Sequence, residues 1–239
     1  MRPAIIAIDG PVASGKSSIG KRLADQLGYL FFDTGIMYRA VTFLALRTLG
    51  SAEDAAAVTE LTQRAHIDVR PPTVDDGRDS TVLAGFAAGE GAGAELEDIT
   101  WDARGKEVEN NVSLVAAMPE VRRILTGQMR RVGLRGQVVM VGRDVGTVIL
   151  PEADLKVFLT ASVETRARRR FDEVSSRGEA RGYDEILANL RERDRIDSSR
   201  AVAPLRAADE AVVLDTTDLD VEEVIARIEG LIGLRENGG

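Results

Sequence analysis

No cysteine occurs among the 239 residues, which excludes a disulfide framework, a thiol nucleophile and any cysteine-ligated zinc or iron–sulfur centre. Histidine is almost missing as well. His66 stands alone, so multi-histidine metal sites are ruled out, a histidine-dependent triad is a poor reading, and a structural role is expected for that side chain. No run of 18 apolar residues exists, and the one N-terminal apolar stretch, Ala4–Ile8, passes straight into Asp9. Neither a transmembrane span nor a secretory signal is read, and the cytoplasm is the expected location. Basic charge is in deficit: 31 Lys and Arg against 39 Asp and Glu give a net charge of -8, which argues against a general nucleic-acid surface. Any recognition of phosphate must then come from local arrangement. What is present is ordinary for a globular chain, with 44% apolar and 29% charged residues, and the length suits one α/β domain with a smaller appendage.

Short β-branched runs alternate with helical text. Ala4–Ile8 is apolar on both faces, as a central parallel strand covered by helices on both sides would be. A helix is read from near Lys16 through Gln26, a second strand at Tyr29–Phe32, and a second helix from Ile36 to about Leu49. Further buried strands are read at Val138–Val141, Leu155–Leu159 and Ala211–Leu214, the fourth strand leading into a very basic helix and the last into a helix beginning near Val221. This alternation predicts an α/β fold with a five-stranded parallel sheet and right-handed crossovers. The stretch at about 66–108 breaks the pattern. It is rich in Gly, Asp and Glu, with β-like pieces at Ile67–Val69 and Thr81–Leu83, and reads as an inserted subdomain; a long irregular loop is the plainer alternative.

Gly10-Pro-Val-Ala-Ser-Gly15-Lys16-Ser17 matches G-x-x-x-x-G-K-[ST] and lies between a buried strand and a helix. Small residues let successive backbone N–H groups point at phosphate oxygens, and the helix N-terminus adds its partial positive charge. Gly10, Pro11, Val12, Ala13, Ser14, Gly15, Lys16, Ser17 and Ser18 are therefore the expected ATP-binding residues. Lys16 would reach the β- and γ-phosphates, and Ser17 would sit by Mg²⁺. Such a loop serves GTPases, motors and small-molecule kinases alike. No Asn-Lys-x-Asp tetrapeptide follows, as a guanine-reading GTPase would carry. Val138–Val141 leads to Gly142-Arg143-Asp144, with Arg interposed where a motor usually has an acid. These features favour a kinase.

The second strand ends in Asp33-Thr34-Gly35-Ile-Met-Tyr38-Arg39, where Asp33 or Thr34 is placed to cap the next helix. Ligands collect beyond the carboxyl ends of parallel strands, so Arg39 is placed to reach a second phosphate opposite the nucleotide. With this motif the chain resembles the bacterial cytidylate kinases, a branch of the nucleoside monophosphate kinases. The likeness extends to Asn111-Val-Ser113-Leu-Val-Ala-Ala-Met-Pro-Glu-Val-Arg122, to Gly142-Arg143-Asp144-Val-Gly-Thr147-Val, and to Glu192-Arg-Asp194-Arg-Ile-Asp197-Ser-Ser-Arg200-Ala-Val-Ala-Pro204-Leu.

The resemblance implies a P-loop three-layer core over 1–65 and 109–239, a helical lid within about 163–183, and an inserted monophosphate-binding subdomain at 66–108. It implies phosphoryl transfer from ATP to CMP or dCMP with Mg²⁺. A monomer is expected, and from charge and hydropathy no nucleic-acid or membrane partner. By the same likeness Ser113, Arg122 and Asp144 read the cytosine ring, Asp197 binds the sugar hydroxyls, and Arg193 and Arg200 lie near the sugar and acceptor phosphate. Arg39 and Arg143 hold that phosphate, and Thr34 and Tyr38 join the CMP-binding set. Ser17 stands where many members have Gly, which leaves open whether Ser17 or Ser18 approaches the metal.

Arg166, Arg168, Arg169 and Arg170 crowd one helix, and like charges so close call for an anionic partner. The kinase reading supplies the donor phosphates, with Arg169 and Arg170 as the catalytic members beside Lys16, Arg39 and Arg143. A solvated face with Glu164 and Asp172 as neighbours is the alternative. Ser175-Ser-Arg-Gly178 and Gly182 offer pivots for the lid. Two rival functions remain at this stage: a P-loop kinase for another small acceptor such as shikimate or UMP, and a regulatory or scaffold protein that binds nucleotide without turnover.

Overall fold

The computed structural model describes residues 2–87, 94–176, 181–200 and 202–237. In chain order the elements are β1 (Ile5–Asp9), α1 (Lys16–Leu27), β2 (Leu30–Asp33), α2 (Gly35–Leu49), α3 (Ala55–Arg64), β3 (Ala65–Arg70), β4 (Thr81–Ala87) and β5 (Ala94–Asp98). There follow α4 (Lys106–Ala117), α5 (Pro119–Gly133), β6 (Val138–Gly142), β7 (Leu155–Thr160), α6 (Val163–Ser176), α7 (Tyr183–Ser199), β8 (Val212–Asp215) and α8 (Val221–Asn237). Five strands form a parallel sheet in the order β2-β6-β1-β7-β8, flanked by helices, so the expected α/β architecture is what the chain adopts. Among the described residues no helix is long and apolar enough to cross a membrane.

The chain divides into two compact units, 1–28 with 137–239, and 29–136. In the first unit β1 is the middle strand. Ile6, Ala7 and Ile8 have no exposed surface, which is why both faces of this run are apolar. Its register pairs Ile5 with Val138 through Asp9 with Gly142 on one side, and Ile6 with Leu155 through Asp9 with Phe158 on the other. β7 in turn pairs Thr160 with Asp215 of β8. The carboxyl ends of β1, β6, β7 and β8 therefore leave one edge together. Everything that follows them in sequence starts there: the glycine-rich loop, Arg143-Asp144, the entry to α6, and the turn after Asp215.

In the second unit α2, α3, α4 and α5 accompany a three-stranded antiparallel sheet, β3-β4-β5. α3 starts where Asp54 accepts hydrogen bonds from the amides of Ala56 at 2.9 Å and Ala57 at 3.0 Å, and α5 starts on Pro119, which lacks the N–H a first helical turn leaves unused. The β-like pieces at 67–69 and 81–83 belong to β3 and β4, paired from Ala65 with Phe86 to Arg70 with Thr81. His66 occupies an exposed position on β3 opposite Gly85. The buried Arg78 guanidinium ties the turn before β4 to the end of β5, donating to Asp76 and to Asp98.

Candidate active site

The loop after β1 has the backbone its motif demands. Gly10 has φ of 152°, and a Cβ there would stand 2.1 Å from the Leu159 carbonyl oxygen, so no other residue fits between β1 and β7. Gly15, at φ 90°, turns the chain into α1, which carries no side-chain cap and no acidic residue in its first turn. The amides and positive end of α1 are thus left to the loop. Lys16 Nζ donates to the Pro11 carbonyl at 2.5 Å and to Ser14 Oγ at 3.4 Å, so the ammonium lies across its own loop.

Directly before the loop, the Asp9 carboxylate accepts from the amides of Gly146 at 2.7 Å and Val145 at 2.8 Å. Burial raises its pKa from 3.8 to about 6, against the pull of these two amides; Asp144 adds to the rise and Lys16 opposes it. Asp9 consequently senses both the loop lysine and Asp144. Each carboxylate oxygen of Asp9 accepts one backbone amide. Ser17 offers a hydroxyl in the first turn of α1, and among the described residues no three His, Asp or Glu side chains converge on a metal position. That donor set fits Mg²⁺ held by substrate phosphates plus one protein oxygen.

Beyond β6 and along α7 the same unit gathers arginines. Asp197, 3% exposed, pairs with Arg143 from the end of β6 and with Arg200 at the end of α7. Arg143 Nε and Asp197 Oδ2 approach to 2.5 Å without the alignment of a hydrogen bond, and neither atom makes one elsewhere. Asp197 thus keeps hydrogen-bonding capacity that an ion pair does not use. Arg193 is pushed below the ordinary arginine range by burial first and then by Arg143; Asp197 counters, while Arg170 and Arg200 push the same way. Arg143 and Arg200 thus meet on one buried carboxylate with Arg193 beside them, while Arg170, paired with Glu173 at 2.7 Å, adds to the positive charge about Arg193. A cluster of this composition suits an anion.

The run on α6 is divided among separate partners. Arg166 is buried against Asp194. The Arg168 guanidinium stacks on Tyr183 at 4.8 Å and on Phe171 at 5.7 Å. Arg169 donates to Thr216 Oγ1 at 3.1 Å and to the carbonyls of Thr216 at 2.5 Å and Leu219 at 3.3 Å. Arg170 pairs with Glu173 and adds its charge to that about Arg193. Glu164, expected as a neighbour, pairs instead with Arg191, because the fold brings α7 alongside α6. Of the expected lid pivots, Ser175 and Ser176 end α6 and Gly182 precedes α7, while Arg177 and Gly178 lie outside the described residues.

The second unit holds the remaining candidates. Asp33, rather than Thr34, caps α2, its Oδ1 accepting from the Gly35 amide at 2.9 Å. Tyr38 is buried with the Arg122 guanidinium 5.4 Å from its ring centre, and Arg39 follows it on α2 in a half-buried position. Ser113 is exposed on α4, which packs against both α2 and α5.

The cytidylate kinase family model matches residues 6–233. The chain belongs to the cytidylate kinase family. It is 48% identical over 232 residues to the cytidylate kinase of Herpetosiphon aurantiacus, covering 97% of this chain and 95% of that one. It is 46% identical over 226 residues to the cytidylate kinase of Chloroflexus aggregans, covering 95% and 92%. Among solved structures it is similar to shikimate kinase from Bacteroides thetaiotaomicron, 13% identical with a TM-score of 0.47, covering 96% of this chain and 98% of that one. Membership makes the chain an enzyme, a P-loop nucleotide kinase.

Sequence reasoning missed three features of this family member. Asp9 was legible only as the end of a strand, although it directly precedes Gly10. Asp194 sits inside a recognised block without a role, and its partner Arg166 was pooled with its neighbours. Arg104 belonged to no motif. In the structure its guanidinium lies 5.6 Å from the Trp101 ring centre and donates to the Thr100 carbonyl at 2.6 Å. Burial holds it below the usual arginine range, with Asp79 and Asp33 opposing and Arg39 and Arg78 reinforcing. No signal in the sequence points to it, because its place follows from the packing of α2 against 102–104.

Proposed function

We propose that the chain transfers the γ-phosphoryl group of ATP to CMP or dCMP, giving ADP and CDP or dCDP, as a monomer in the cytoplasm. The observation that carries this reading is the arginine cluster around Asp197, in the unit that also holds the Lys16 loop. One feature suits a triphosphate and the other a second anion bearing hydroxyls. Family membership supports the cytidine nucleotide as that second anion.

In this reading the amides of residues 10–18 and Lys16 grip the donor phosphates, with Ser17 or Ser18 beside Mg²⁺. The metal, when bound with ATP, neutralises phosphate charge. Arg39, Arg143 and Arg200 hold the acceptor phosphate, and Arg193 lies beside the sugar. Asp197 uses its spare hydrogen-bonding capacity on the sugar hydroxyls. Arg170 covers the transferring group. Arg169 reaches the donor phosphates only by releasing Thr216 and Leu219.

A phosphate oxygen of CMP attacks the γ-phosphorus in line while the bond to the β–γ bridging oxygen breaks and ADP leaves. The attacking oxygen is already anionic, so no strong general base is needed, in keeping with a single exposed His66. Closure of the lid at about 163–183 and of the insert at 66–108 over both substrates keeps water from the γ-phosphate.

Thr34, Tyr38, Ser113, Arg122 and Asp144 complete the acceptor set. Cytosine presents an N4 amino donor, which suits the Asp144 carboxylate, and N3 and O2 acceptors, which suit Ser113 and Arg122. Uracil would set a carbonyl against Asp144, at a cost of roughly 1–3 kcal/mol, or about fivefold to 150-fold in discrimination. An ADP-release assay with CMP, dCMP, UMP, AMP and shikimate tests the proposal. CMP and dCMP should turn over far faster than the rest, and Lys16→Ala should abolish turnover. Faster turnover of UMP than CMP would defeat the cytosine argument, and a Lys16→Ala variant as active as the parent would defeat the kinase reading.

A further inference from the structure

Arg166 is the deeply buried member of the α6 run, its side chain 5% exposed, and it touches three separate parts of the first unit. Its Nε donates to the Ala161 carbonyl at 3.0 Å, just after β7. Its Nη1 donates to the Val12 carbonyl of the donor loop at 3.1 Å. The guanidinium also closes as a fork on Asp194 of α7, Nη1 to Oδ1 at 3.1 Å and Nη2 to Oδ2 at 2.5 Å. Three residues further along α7, Asp197 holds Arg143 and Arg200. Residues three apart on a helix are surface neighbours, so one helix carries two adjacent carboxylates. One is tied to the loop that grips the donor, the other to the arginines assigned to the acceptor.

We infer that Arg166 and Asp194 form a positioning pair that links occupation of the donor loop to the affinity of the acceptor cluster. A planar fork on a carboxylate, largely out of water, is stiff in direction as well as strong. A shift of the Val12 carbonyl on closing around phosphates is therefore passed through Arg166 and Asp194 to α7, and so to Arg193, Asp197 and Arg200. The hydrogen bonds of Arg166 run to Ala161, Val12 and Asp194, so the pair is assigned no substrate contact of its own. The pair acts through the residues it orients, and by linkage the effect is reciprocal: CMP tightens the donor as the donor tightens CMP. The inference rests on the reading of the Asp197 cluster as the CMP seat.

The test is calorimetric titration of the full chain with CMP, with and without a β,γ-imido analogue of ATP and Mg²⁺. In the parent the analogue should tighten CMP by about fivefold or more, within the ordinary range of such couplings. Asp194→Asn, which keeps shape and loses charge, and Arg166→Lys, which keeps charge and loses the fork, should bring that ratio to within about twofold of unity. A pair that merely braced the fold would lower the melting temperature and leave the ratio alone. Should either single variant fail to fold, Arg166→Met with Asp194→Leu replaces the pair by packed apolar groups and should show the same loss of coupling. A parent ratio of one, or a folded variant with the parent's ratio, overturns the inference while leaving CMP binding in place. A parent that binds no CMP overturns the underlying reading, and this inference with it.

Discussion

Asp9 shows how one side chain can join two halves of a site. It follows an apolar run into the core, where its charge is costly, and it is held there by the two amides that follow Asp144. Burial lifts its pKa to about 6, above the 3.8 of an exposed carboxyl. Between those values the native state binds a proton that the unfolded chain releases, so this group's contribution to stability falls as pH rises through the window. Asp9→Asn removes the titration. The stability of this variant relative to the parent should improve by about 2–3 kcal/mol between pH 4 and pH 7 in urea melts; a difference independent of pH would contradict the assignment. Asp144 carries a different kind of prediction. Its replacement by Ala should lower the preference for CMP over UMP by about tenfold to a hundredfold in kcat/KM, with the KM for ATP little changed; an unchanged ratio removes it from base reading.

Among the elements, the donor loop leaves no room for a side chain at Gly10. Gly10→Ala drives a methyl group into the Leu159 carbonyl, so β1 and β7 must separate for it to fit. ATP binding should weaken more than about tenfold in calorimetry, and parental affinity would show that the loop is less constrained than its geometry implies. On α6, Arg169→Ala and Arg170→Ala should both lower kcat, but only the first should also lower the melting temperature, because Arg169 braces the turn after β8. Equal melting temperatures would contradict that division. The parallel strands were legible because each is an apolar run ended by Gly, Asp or Thr. β5 was not legible. Its Glu95 and Glu97 are exposed and only Leu96 between them is partly covered, so the alternation is too short to signal a strand, and its place is set by backbone pairing with β4. α3 and α5 carry start signals in the sequence, Asp54 and Pro119, on either side of the small sheet.

Over the whole molecule, a net charge of -8 coexists with a cluster of arginines. The two agree because the positive charge is local: Arg143 from the end of β6 and Arg200 from the end of α7 converge on Asp197 although almost 60 positions of sequence separate them. The motifs located most of these residues, but not their partners. That Arg166 would grip Asp194, or that Arg169 would turn to Thr216, depends on α6 and α7 packing together and on β8 lying beside β7. Spacing along the chain does not encode such choices. The most direct measurement is calorimetric titration with CMP, dCMP and UMP, because it reads the acceptor seat without relying on turnover. CMP and dCMP should bind, with UMP about tenfold to a hundredfold weaker; UMP binding as tightly as CMP, or no binding of any of the three, would contradict the account.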